Sequence, residues 1–190
     1  MPPLVQLARP LKLRSLTHLL RIGGVDVFVH WSVLVIAALM IAGGTRKPLL
    51  AITVLACWMG VLLLHECGHM IMARRKRCRV LSIRLYPVFG LCEFETPWSR
   101  VDRALIAWGG VLAQAVIGIP LVVWILIIGY TPFEPLNAVL ALFGFFSLAE
   151  AALNLIPKAP LDGAIAWDLI PALISRNREQ RNKRPPVWRR

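Results

Sequence analysis

Long apolar stretches dominate the chain, and polar residues gather in short clusters between them. Four stretches are long enough to read as helices crossing a bilayer, which takes about 20 apolar residues. They are Val25–Ala42, Leu49–Ala73, Ala104–Tyr130 and Leu136–Ile156. The runs Gly43-Gly44-Thr45-Arg46-Lys47-Pro48 and Thr131-Pro132-Phe133-Glu134-Pro135 read as turns between spans. Arg74–Arg103 differs: it is rich in arginine, and Val80–Tyr86 partly alternates apolar and polar residues, the period of a strand. Val88–Phe94 can return as a second short strand around Gly90. Such strands either pair with an extended substrate by edge addition or simply cover a site. Two prolines in Asn154–Gly163 break the fourth stretch. Ala164–Ile174, about 16 Å long as a helix, is too short to span alone and either continues the broken fourth span or lies at the interface. The pattern predicts an all-α membrane protein of about four transmembrane helices, with a short β-hairpin-like interfacial segment after the second. Residues 1–24 form a basic lead-in, 25–175 the transmembrane domain and 176–190 a basic, disordered or surface-lying tail.

Composition agrees with a membrane protein. The chain is 57% hydrophobic over 190 residues, a length suited to one domain. Its net charge of +12 does not imply nucleic acid, because the basic residues sit between and after the apolar runs. They act there as topology signals and lipid-headgroup contacts. The lead-in, the loop after the second span and the tail hold most of them, so both termini are expected on the cytoplasmic side of a multi-pass cell-membrane protein. No small-residue cleavage site follows the first apolar run, so no removed signal peptide is expected. Cys57, Cys67, Cys78 and Cys92 lack C-x-x-C spacing and read as buried thiols.

The chemistry concentrates in the second span, as His65-Glu66-Cys67-Gly68-His69. On a helix, positions i and i+4 share a face, so His65 and His69 can aim two imidazole nitrogens at one ion. Glu66 then lies within reach of a water on that ion. Two zinc ligands and a general base is the usual reading of H-E-x-x-H. Ionisable groups at membrane depth point to function. The extended pattern with a downstream Gly and His fails, because Met72 and Arg75 occupy those positions. Asp162 is the better third ligand, a short carboxylate after a helix break and followed by Gly163; Glu93, Glu95 and Glu150 are next in line. Asp26 and His30 would lie side by side on a helix, as a paired interfacial histidine. Glu150, in an apolar span four residues before Asn154, reads equally as a helix-packing acid or a group serving the site.

These features resemble the site-2 protease family of intramembrane zinc metalloproteases. The resemblance rests on His65-Glu66-x-x-His69 and Asn154-x-x-Pro157-x-x-Pro160-x-Asp162-Gly163, with Val29-His30-Trp31-Ser32 and Gly110-x-x-x-Gln114 in support. It implies one zinc per chain on His65, His69 and Asp162, Glu66 as catalytic base, and Asn154 positioning substrate or polarising the scissile carbonyl. It further implies cleavage within or near the transmembrane helix of another membrane protein, in regulated signalling. The chain departs from the family's frequent Asp-Gly-Gly and Gly-Pro-x-x-Asn, with Ala164 after Gly163, Val111 after Gly110, and Gln114 in the Asn position. Two other readings stand beside this one: an inactive zinc-binding scaffold of the same fold, and a small transporter. The oligomeric state is left open.

Overall fold

The structure, a computed structural model, describes residues 16–182. The first part of the lead-in and residues 183–190 of the tail lie outside the described residues. The chain opens with a hairpin, β1 (Leu16–Ile22) and β2 (Val25–His30). Gly23 and Gly24 turn it at φ of 54° and 87°. Positive φ at both central residues is what a tight two-residue hairpin requires, and glycine adopts it without penalty. Helix α1 (Trp31–Gly43) leads to α2 (Pro48–Arg75), and strands β3 (Val80–Leu85) and β4 (Gly90–Phe94) follow. Then come α3 (Arg100–Ile128), α4 (Glu134–Ala141), a wide π-helical turn (Leu142–Phe146) and α5 (Ser147–Asn154). The short α6 (Gly163–Ala166) and α7 (Leu169–Asn182) complete the described chain.

Two expectations need correction. The first apolar stretch is not one helix. Val25, Val27 and Val29 are buried and the residues between them less so, which is a strand's period of two. Alternation hidden in an apolar run cost the first span its N-terminal third, and α1 keeps 13 residues, about 20 Å of helix. Among the described residues, three helical stretches are long and apolar enough to cross a membrane: Pro48–Arg75, Arg100–Ile128 and Glu134–Asn154. Nor is the fold all-α. The expected hairpin after α2 is the second half of a four-stranded sheet in the order β1-β2-β3-β4, with β2 and β3 parallel and the outer pairs antiparallel. The division drawn at residue 175 falls inside α7.

The parallel pairing of β2 with β3 brings the chain back beside its starting point, so α1 and α2 form the out-and-back connection between them. One face of the sheet packs Val25, Val27, Val29, Ile83, Leu85 and Cys92 against Leu62 and Met70 of α2. Helix α2 ends abruptly: Arg77 takes φ of 59°, while the N–H groups of Arg77 and Cys78 donate to Arg74 O and Ala73 O, each at 2.9 Å. That paired closure is a Schellman motif, and it turns the chain directly into β3. At the opposite end of α2, Lys47 Nζ donates to Glu134 Oε2 at 2.7 Å, tying the start of α2 to the start of α4.

Most of each long helix faces outward with apolar side chains; Val116, Leu126 and Ile127 are each more than 70% exposed. Water would not tolerate so broad an apolar surface, and lipid does. Between α2 and α3 the backbones nearly touch. A Cβ on Gly109 would stand 2.6 Å from Gly68 O, so glycine at both positions is what permits the crossing.

Candidate metal centre

Helix α2 buries His65, Glu66 and His69, each at 4–6% exposure. The loop after α5 brings Asp162 to the two histidines. Asp162 Oδ2 lies 2.9 Å from His65 Nε2 and 3.1 Å from His69 Nε2, and the two Nε2 atoms are 3.0 Å apart. Among the described residues, this is the group of three that can hold a metal ion.

The protons of this cluster follow from its neighbours. His65 Nδ1 meets Gln114 Oε1 at 2.9 Å, and His69 Nδ1 meets the Ile106 carbonyl at 2.8 Å. A carbonyl only accepts, so both Nδ1 atoms carry hydrogen and both Nε2 atoms present lone pairs. Two lone pairs and a carboxylate oxygen therefore converge on one point, an arrangement that calls for a cation. Two imidazoles, one carboxylate and a free fourth side suit a catalytic zinc.

Small residues make room for the cluster. A Cβ on Gly110 of α3 would stand 2.5 Å from His65 Cε1 and 2.7 Å from His69 Nε2. Gly90, at the start of β4, lies against the Glu66 carboxyl. Two tryptophans hold the backbone before and after Asp162. Trp167 Nε1 donates to Leu155 O at 2.7 Å, and Trp108 Nε1 donates from α3 to Ala166 O at 3.0 Å. The two indoles meet edge to face with centroids 5.5 Å apart. The Leu155 carbonyl belongs to the broken end of α5, so Trp167 satisfies a group that the break exposes.

The other sequence candidates lie elsewhere or play different parts. Glu93 accepts from Arg84 at 2.7 Å and Ser82 at 2.8 Å, away from the cluster. Glu95 is exposed, in the segment following β4. Asn154 is the half-buried last residue of α5, with no side-chain hydrogen bond among the described residues. His30 does not pair with Asp26, because a strand separates positions i and i+4 by about 13 Å. It caps α1 instead, with Nδ1 accepting from Ser32 N at 3.3 Å, while Asp26 faces His18 at 3.3 Å and Arg21 at 3.4 Å. Glu150 accepts from Gln114 Nε2 at 3.0 Å. Gln114 stood out in sequence only through the family pattern, and nothing local linked it to Glu150. Trp108 and Trp167 were missed altogether; the one available signal was that a proline-broken helix leaves carbonyls in need of donors.

Fold and site together define a class: a membrane protein of long apolar helices with a buried cluster of two histidines and one carboxylate. A model of peptidase family M50 matches residues 53–138. A protein of Synechocystis sp. whose given name proposes a zinc metalloprotease is 33% identical over 140 residues, covering 68% of this chain. This chain spans about a third of that relative's length, 35%. The site-2 protease from Methanocaldococcus jannaschii shares the fold, with a TM-score of 0.60 at 22% identity over 85% of this chain and 72% of that one. The chain belongs to peptidase family M50, the site-2 protease family.

Proposed function

We propose that this chain is an intramembrane zinc metalloprotease that hydrolyses a peptide bond within or near the transmembrane helix of a membrane-protein substrate, in regulated signalling. The observation that carries the reading is the convergence of His65 Nε2, His69 Nε2 and Asp162 Oδ2, all within 3.1 Å of one another, beside a buried Glu66. His65, His69 and Asp162 hold the metal. When bound, zinc acidifies a water and polarises a carbonyl. Glu66 would serve as the general base that accepts a proton from the attacking water and returns it to the leaving amine. The Gly90 backbone limits where the Glu66 carboxyl can swing. Asn154, at the end of α5, positions the scissile carbonyl.

The substrate must offer an extended stretch of backbone, so its helix unwinds at the cleavage point. Strand β4 is one of the two outer strands of the sheet and begins at Gly90, beside Glu66, which suits it to pair with such a stretch. The sheet, the Arg74–Arg79 turn and the start of α3 share the end of the molecule that carries the metal cluster. By the positive-inside rule that end faces the cytoplasm, as do both termini.

The test uses the full chain in detergent and a reconstituted single-span membrane protein bearing a helix-breaking pair in its span. Wild type is expected to hold about one zinc and cut the substrate. Glu66→Gln should keep zinc and lose cleavage, whereas Asp162→Ala and His65→Ala/His69→Ala should lose zinc. Cleavage by Glu66→Gln at the wild-type rate would overturn the mechanism.

A further inference from the structure

We propose that Glu150 is a positioning residue for His65, acting through the side-chain amide of Gln114. The inference rests on the reading that His65 holds the metal, and it assigns a part to a carboxylate which that reading leaves unused.

Two hydrogen bonds run in line to the ligand cluster. Gln114 Nε2 donates to Glu150 Oε2 at 3.0 Å, His65 Nδ1 donates to Gln114 Oε1 at 2.9 Å, and His65 Nε2 lies 2.9 Å from Asp162 Oδ2. Gln114 is fully buried, so water cannot take over either end of its amide. The two histidines differ in what holds them. His69 Nδ1 donates to the Ile106 backbone carbonyl, whose polarity is fixed. A glutamine side chain has no such fixed polarity. Rotated by half a turn, it would set an NH2 group against His65 Nδ1, which would select the tautomer with hydrogen on Nε2, the wrong nitrogen for a metal. The Glu150 Oε2 atom accepts from Gln114, so it holds the NH2 group on its own side and leaves the carbonyl for His65. Glu150 thus fixes the amide, the amide fixes the tautomer, and the tautomer leaves Nε2 free. Outer partners of ligating histidines commonly influence metal affinity in this way.

Zinc affinity of the purified full chain in detergent, measured by competition with a chromogenic chelator, tests this without recourse to activity. Glu150→Met, close in size but with no acceptor, should weaken zinc binding about 10–100-fold, and Gln114→Met should do the same. The double variant should bind no more weakly than Gln114→Met alone, because Glu150 acts only through that amide. Glu150→Gln, which keeps an acceptor, should recover most of the affinity and serves if Glu150→Met fails to fold. Unchanged affinity in Glu150→Met overturns the proposal, as does an equal further loss in the Gln114→Met background or a full loss in Glu150→Gln. Absence of zinc from wild type would instead bring down the metal reading itself, and the relay with it.

Discussion

Gly90 closes on Glu66 so tightly that a methyl group in its place would stand 2.6 Å from the carboxyl carbon of Glu66. The strand on the outer edge of the sheet thus bears directly on the group proposed as the base. Gly90→Ala should displace the Glu66 carboxyl at a cost of about 1–3 kcal/mol, typical of overpacking. Cleavage should fall about 10–100-fold, since each 1.36 kcal/mol in the barrier is tenfold. Zinc content should stay at the wild-type level, because Gly90 touches no ligand. Loss of zinc alongside cleavage would show that the strand supports the metal cluster rather than the base.

Gly110→Ala should do the reverse. Its Cβ would stand 2.5 Å from His65 Cε1 and 2.7 Å from His69 Nε2, so the imidazoles must part. Zinc affinity should drop about 5–150-fold, by the same overpacking cost of about 1–3 kcal/mol. Metal analysis after dialysis against a weak chelator gives the answer, and wild-type retention would contradict the tight fit.

The tryptophan clasp predicts a smaller effect. Trp167→Phe keeps an aromatic ring near Trp108 but removes the donor to Leu155 O. The net worth of one such hydrogen bond is about 1 kcal/mol, so zinc binding should weaken about fivefold. Trp108→Phe, which loses the donor to Ala166 O, should behave alike. Chelator competition measures both, and a hundredfold loss in either would mean that the clasp does more than supply a donor.

Cys92 predicts a pH dependence. Burial, reinforced by the nearby Glu66 charge, pushes its thiol up to about 12. An unfolded cysteine titrates near 8.5, with no difference between the two states below that pH. Above it, the unfolded chain releases a proton that the folded chain keeps, so this group destabilises the fold progressively as pH rises. In a chain whose other three cysteines are replaced, maleimide should label folded Cys92 slowly at pH 8 and at pH 9.5, and label it fast in denaturant. Fast labelling of the folded chain at pH 8 would refute the burial.

The parts of the site that share one helix face were readable from sequence. His65, Glu66 and His69 follow from the 3.6-residue period, and Asp162 from a proline break that ends in a short carboxylate and a glycine. The first span misled because Val25-Asp26-Val27-Phe28-Val29 reads as apolar to a count of hydropathy and as a strand only to a count of alternation. Glu150 and Gln114 face each other across two spans, 36 positions apart, and no local pattern encodes such a pairing. The tryptophan donors reach across 12 and 58 positions, to carbonyls left at the end of α5 and of the short α6.

The wide turn at Leu142–Phe146 gives the last span two phases. A π-type turn accommodates one surplus residue in an α-helix, and each residue advances the helix by about 100°. Everything beyond it, Glu150 and Asn154 included, is therefore rotated relative to Leu140 and the residues before it. The lipid-facing stripe of the first half does not continue into the second, and the acid turns inward where an unbroken helix would aim it elsewhere. Removing a single phenylalanine from the turn would swing Glu150 off Gln114 without changing either residue. The site's chemistry thus depends on a count of residues as much as on their identity.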